Sequence, residues 1–337
     1  MSKTRGLILG KFAPFHVGHE RLIETALKEV DDLCVIVYDC PNLTNIPLNV
    51  RANWIRQFFP QVFVIEGWDA PNKHDDTVEV KKMQENYVQK ALNGKKITHF
   101  FSSEYYGEHM SKFLGAVDRR LDRHDPRQGY LTTATMIRNG NNLSKHFLSA
   151  VVYGDMLIKV AFVGVPSQEQ SKLVSYLAKK LHTSYIEDNM LMSLGVKQDK
   201  DNKHKKIIPD FYKIANKKYE LANRESNIFS AKEYLVYNST GFVDHLLSVA
   251  THGRFNKKMY DLFSEDMSSY DLVLVNNNPK KSIGKSLDID DSIFLNQLIA
   301  NLDTINVNYR LLSGTFREKL AISEKLINAV NKKFNLK

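Results

Sequence analysis

Apolar residues fall along this chain in two registers. Leu7, Ile8 and Leu9 close a short run at Gly10, and "LCVIVYD" (33–39) forms a second, near-continuous one. Runs of that length suit strands buried on both faces of a parallel sheet. Between them, "ERLIETALKEV" sets Leu22, Ile23, Ala26, Leu27 and Val30 on one face at helical spacing, and Glu24 and Lys28 add an i,i+4 ion pair outside. The start of the chain therefore predicts a βαβ unit. Further strands are predicted over "VFVIEG" (62–67) and "THFFSSE" (98–104), with the helical stretch "VEVKKMQENYVQKAL" between them.

A Gly/Asn-rich stretch, "RNGNNLSK" (138–145), then interrupts the pattern and a second cycle begins. "LIKVAFVG" (157–164) runs as a strand into glycine, "SKLVSYLAKKL" (171–181) reads as a helix, and "EYLVYN" (233–238) and "YDLVLVN" (270–276) read as buried strands. A helix over "REKLAISEKLINAVNKKF" closes the chain. Strands alternating with helices predict two α/β domains, residues 1–150 and 151–337. The length of 337 residues agrees, since one core rarely organises so long a chain.

Composition narrows the class. A hydrophobic share of 43% and a charged share of 25% describe an ordinary globular protein. The only cysteines are Cys34 and Cys40, too few for a disulfide scaffold of this size, which points to a reducing, cytoplasmic location. No signal peptide and no apolar run of membrane-spanning length is expected. The net charge of +9 favours polyanions, whether nucleic acid or nucleotide phosphates. The densest basic run, "KQDKDNKHKK" (197–206), is broken by Asp199 and Asp201 and has no aromatic to stack a base, so it reads as a solvated loop.

The candidate chemistry lies where the first strand meets the first helix, in "GKFAPFHVGHERLI". Ligands of parallel sheets gather at the carboxyl ends of the strands, where helix N-termini offer unpaired N–H groups and partial positive charge. Gly10 lets the backbone turn, Pro14 stiffens the loop, and Gly18 clears space as the helix begins. His16 and His19 project at that end, and phosphate is the natural guest. Two other readings compete: the histidines as metal ligands, for which no third ligand stands nearby at the usual spacing, and as structural caps of the loop.

Gly10, Phe12, Pro14, His16, Gly18 and His19 together resemble the G-x-F-x-P-x-H-x-G-H signature of the HxGH nucleotidyltransferases. That family closes its site with I-S-x-T-x-I-R at a helix N-terminus, and "TTATMIR" (132–138) resembles it through Thr133, Thr135, Ile137 and Arg138. With "NVRANWIRQFFP", "FSSEYYG" and a second nucleotide-type domain, the chain looks most like NadR-type proteins. These join a nicotinamide mononucleotide adenylyltransferase to a ribosylnicotinamide kinase. The resemblance implies a Rossmann-like nucleotidyltransferase domain followed by a P-loop kinase-like α/β domain. It implies ATP and nicotinamide mononucleotide as substrates, with Mg2+ arriving on the ATP. It also implies no DNA-binding module, since the repressor segment of some members is missing, and leaves self-association as a homo-oligomer open.

The resemblance implies catalytic roles for His16, His19, Lys11 and Arg138. Gly10, Phe12, Gly18, Thr133 and Thr135 would line the ATP site, and no protein-held metal is implied. A planar pyridine ring favours an aromatic partner, for which Trp68, at a strand end, and Trp54, in a helical stretch that also suits core packing, are the candidates.

The second domain is expected to be degenerate. "FVGVPSQEQSKL" (162–173) occupies the place of a phosphate-binding loop, with Gly164 and Ser171 in position, but Glu169 stands for the second glycine and Gln170 for the lysine. Asn238 stands where the resemblance implies a strand-end aspartate. "GKS" (284–286) reads as a loop. The expectation is a kinase fold without ribosylnicotinamide kinase activity.

Overall fold

The run Leu7–Leu9 lies in the middle strand of a five-stranded parallel sheet. Strand β1 (Arg5–Gly10) is flanked by β2 (Asp32–Tyr38) and β4 (His99–Ser102), with β3 (Phe63–Gly67) and β5 (Val117–Arg120) at the edges, in the order β3-β2-β1-β4-β5. This computed structural model describes residues 3–71, 77–103, 107–122, 132–139, 144–187, 211–222, 224–277, 279–280, 282 and 287–333. The basic run 197–206 and the "GKS" at 284–286 lie outside them, as do parts of "FSSEYYG" and "RNGNNLSK".

Both faces of this sheet are covered, which explains the continuous apolar runs. Alternate residues go to opposite faces. Ile8, Val35 and Val37 pack with Leu22, Ile23 and Ala26 of α1 (Val17–Glu29) and with Ala52, Trp54 and Ile55 of α2 (Leu48–Phe58). Leu7, Cys34 and Ile36 pack on the other face with Val88 and Leu92 of α3 (Val78–Leu92) and Met110 of α4 (Gly107–Leu114). Thr77 caps α3 by accepting the Val80 N–H, and Asn93 ends it in the left-handed region at φ 46°.

The chain divides after Met156. The reason is α6 (Ala150–Met156): Val152 is fully buried in the first core, and Asp155 accepts the Trp54 indole N–H at 2.8 Å. Lys332 and Lys333 also belong to the first unit. The last helix is shorter than the sequence pattern predicts, ending at Asn328, and the Lys333 carbonyl then accepts the Asn45 N–H and the Thr44 hydroxyl.

The second unit, Leu157–Asn331, has its own five-stranded parallel sheet. Its strands are β6 (Ile158–Gly164), β7 (Tyr185–Ile186), β8 (Tyr234–Asn238), β9 (Leu272–Asn276) and β10 (Tyr309–Leu312), in the order β10-β9-β6-β8-β7. Strand β6 is central and runs into α7 (Gln168–Lys180). Its turn thus sits where strand order reverses, the place at which open α/β sheets bind ligands. Among the described residues no helix is long and apolar enough to cross a membrane.

Candidate active site

Strand β1 ends at Gly10, and the next six residues make a tight loop whose geometry follows from three side chains. Phe12 has φ 48°, a strained value for a residue with a Cβ, and its ring folds back over Gly10, where a Cβ would come within 2.9 Å of it. The packed ring contacts of Phe12 with Phe15 and His19 hold that conformation, at centroid separations of 6.1 Å and 4.8 Å. Phe12 and Phe15 are both buried. The peptide bond between Ala13 and Pro14 is cis.

His16 is the N-cap of α1. Its Nδ1 accepts the Gly18 N–H at 3.1 Å, so the proton of the neutral ring sits on Nε2. Gly18 is required here, because a Cβ would lie 2.9 Å from His16 Cε1. The capping reading and the ligand reading of His16 are therefore compatible: one nitrogen holds the helix and the other is a donor. The His19 ring lies 3.8 Å from that of His16, centroid to centroid, and is stacked on Phe15 at 14°.

The second motif reaches this loop through Arg138. Its Nη1 donates to Ala13 O at 2.6 Å and its Nη2 to Thr135 Oγ1 at 2.9 Å. Ile137 is buried in the first core and anchors the short helix α5 (Ala134–Arg138), which Thr133 caps by accepting the Met136 N–H at 3.1 Å. Arg138 thus ties this segment to the loop at Ala13.

The charge of the site is concentrated. Lys11 is pushed below the ordinary lysine value by burial; Cys40 opposes this, and the positive charges of Arg138 and Arg51 add to it. Burial likewise lowers Arg138, with Cys40 opposing. Arg51 is a residue that sequence reasoning missed. It is fully buried, and its guanidinium donates to Lys11 O at 2.5 Å, Tyr38 O at 2.9 Å, Ile46 O at 3.2 Å and Asp39 Oδ1 at 3.2 Å. The signal was present: Leu48, Arg51, Ala52 and Ile55 form one helical stripe, and Arg51 is its charged member.

The two tryptophans separate. Trp54 is 1% exposed and spends its N–H on Asp155, so it is a core residue and offers no face to a ligand, which corrects its assignment to the mononucleotide. Trp68 is 59% exposed just past the carboxyl end of β3, with its N–H on Glu66 Oε2 at 3.1 Å. Glu66 is held in turn by Arg56 at 2.7 Å.

In the second unit, Gly164 has φ 145° and faces Asn276 O so closely that a Cβ would lie 2.9 Å from it. Gln170 is buried and donates to Asn238 Oδ1 at 3.1 Å, and Asn238 Nδ2 donates to Ser171 Oγ at 3.1 Å. Gln170, Asn238 and Ser171 thus form a neutral hydrogen-bonded chain. Glu169 pairs with Lys319 at 2.8 Å. Among the described residues no three His, Cys, Asp or Glu groups converge on a point where a metal could sit.

Comparison with known proteins agrees with this geometry. Residues 7–138 match the cytidylyltransferase-like family. A NadR protein solved with NAD and AMP-PNP superposes with a TM-score of 0.52 at 17% identity, covering 100% of this chain and 98% of that one. A NadR protein solved with NR gives 0.51 at 18% identity, covering 99% and 97%. Those superpositions show that the chain shares the fold of these NadR structures. A nicotinamide-nucleotide adenylyltransferase of Halobacterium salinarum is 56% identical over 32 residues, which are 10% of this chain and 18% of that enzyme's length. The two motif segments belong to the first unit and the neutral loop to the second.

Proposed function

We propose that the first unit forms NAD and pyrophosphate from ATP and nicotinamide mononucleotide. The observation that carries this reading is the bond from Arg138 to Ala13 O, which brings the TTATMIR segment onto the loop bearing His16 and His19. The reaction is attack of the mononucleotide's phosphate oxygen on the α-phosphorus of ATP, with the bond to the β-phosphate bridging oxygen breaking and pyrophosphate leaving. A phosphate monoester has a second pKa of about 6, so the nucleophile is ionised at neutral pH and needs no strong base. Positioning and charge neutralisation are what remains for the protein to supply.

The roles in this reading are as follows. The His16 Nε2–H and His19 donate to ATP phosphates, and Lys11 and Arg138 neutralise the departing pyrophosphate. Thr133 already accepts a backbone N–H, so it offers a phosphate its O–H hydrogen. Gly10, Phe12 and Gly18 shape the loop that lets the nucleotide approach. Trp68, with its N–H anchored on Glu66, offers a ring face for the pyridine. Magnesium arrives on ATP, held mostly by phosphate oxygens and water.

The second unit keeps the fold of a kinase without its electrostatics. Gln170 and Asn238 are neutral, mutually bonded and buried, so neither is poised to hold a triphosphate or its metal. We read it as inactive toward the riboside. Conversion of MgATP and nicotinamide mononucleotide to NAD with equimolar pyrophosphate tests the first assignment.

A further inference from the structure

The first unit's sheet ends in a strand whose outer edge has no neighbouring strand among the described residues. Strand β5 pairs only with β4, and all four of its residues are exposed. The Val117 N–H donates to Thr98 O at 2.9 Å and the Leu121 N–H to Ser102 O at 2.9 Å. Alternation along the strand therefore turns the N–H and C=O groups of Asp118 and Arg120 outward, away from β4. An edge of this kind is a template for another strand.

The side chains decide which strand fits. Edges are commonly blunted by charges of one sign, which repel a copy of themselves. Here the signs alternate: Asp118 and Arg120 share a face and pair at 3.0 Å. Laid antiparallel about a two-fold axis at Arg119, two copies exchange backbone bonds between Asp118 of one and Arg120 of the other, twice over. Each carboxylate then stands directly opposite a guanidinium, and with the pair inside each chain this makes a ring of four charges of alternating sign. On the opposite face the two Arg119 side chains meet, but each brings its own counter-charge, because Glu29 accepts from Nε at 2.6 Å and from Nη2 at 2.5 Å. Val117, 54% exposed, comes opposite Leu121 of the second copy. No position is left facing an unneutralised like charge.

We propose that β5 is a self-association edge whose partner is a second copy of this chain, added antiparallel so that the two first-unit sheets become one continuous sheet. A strand this short buries less than the roughly 1,200 Å² at which standard stable interfaces begin. The dimer is therefore weak, reversible and sensitive to salt, since its specificity lies in exposed charges.

Sedimentation velocity of the full chain over a concentration series tests this. The expected result is a reversible dimer that weakens as salt is added. Asp118→Arg or Arg120→Asp alone sets like charges opposite each other at both symmetric pairs and should weaken the dimer by about tenfold or more. The double reversal swaps the signs and should restore it. Hydrogen exchange at the Asp118 and Arg120 amides of the wild type should slow as the dimer forms, which a contact elsewhere on the surface would not produce. Should a reversal fail to fold, that wild-type exchange measurement decides alone. A monomer at every concentration, a dimer indifferent to the single reversals, a double reversal no tighter than either single one, or amide exchange independent of concentration would each overturn the proposal.

Discussion

Arg138 Nη1 lies 2.6 Å from the carbonyl oxygen of Ala13, a contact made across 125 residues of chain. The carbonyl belongs to the loop that presents His16, and the guanidinium to the segment capped by Thr133. One bond therefore sets the distance between the two halves of the site. Arg138→Lys keeps the charge but not the planar fork that reaches Ala13 O and Thr135 Oγ1 together. Turnover should fall by about 10²-fold, on the scale of losing one preorganised donor. The melting midpoint should move little. Wild-type kinetics in the lysine variant would show that the fork is dispensable.

Lys11 gives the site a pH dependence. Burial, with Arg138 and Arg51 adding to it against Cys40, holds its folded-state pKa below the ordinary lysine value of 10.5. Between that lowered value and 10.5 the unfolded chain binds more protons, so this group's contribution to stability rises with pH across the window. Bound polyphosphate supplies the missing counter-charge and raises the pKa, so ATP binding takes up a proton on the alkaline side. ATP affinity should weaken with rising pH earlier than an ordinary lysine would allow. Lys11→Arg should remove that alkaline limb, and superimposable profiles for the two proteins would contradict the assignment.

Arg51 is expected to matter without touching substrate. Arg51→Met leaves Lys11 O, Tyr38 O, Ile46 O and Asp39 Oδ1 without their shared donor. Breaking a buried charged network of this kind costs about 3–5 kcal/mol, or roughly 10 °C in the midpoint of a domain this size. Because Lys11 O loses its anchor, KM for ATP should rise more than kcat falls. A loss of kcat alone would place Arg51 in the chemistry instead.

How much of this was legible in the sequence depends on where each residue's partners lie. The βαβ start and the His16/His19 loop were readable because their partners are local: Gly10 answers Phe12, and Gly18 answers His16. Strands buried on both faces announced themselves as apolar runs. The edge strand Val117–Arg120 is exposed throughout, and β10 has two exposed positions in its four, so neither carries a pattern. The helix Gly241–His252 buries eight residues in succession, which erases its periodicity. Arg51 looked like any arginine until its acceptors were known. The pairing of Glu169 with Lys319 spans 150 residues, and only the degenerate loop hinted that the glutamate needed a partner.

The second unit should not make nicotinamide mononucleotide from the riboside and either ATP or GTP. Phosphoryl transfer depends almost wholly on holding and neutralising the triphosphate with its metal, and Gln170 and Asn238 are instead bonded to each other. Gln170→Lys alone should not restore activity, since Asn238 still lacks a carboxylate. Turnover above a heat-treated control by the unsubstituted chain would return the protein to the bifunctional class.

The central claim is that the loop bearing His16 and His19 transfers an adenylyl group to nicotinamide mononucleotide. The most direct measurement is the initial rate of NAD formation from MgATP and the mononucleotide, with pyrophosphate counted in parallel, for the wild type and His19→Ala. The account predicts NAD and pyrophosphate in equal amounts and a fall of about 10²- to 10³-fold in the variant. No NAD from the wild type, or an unchanged rate in His19→Ala, would contradict it.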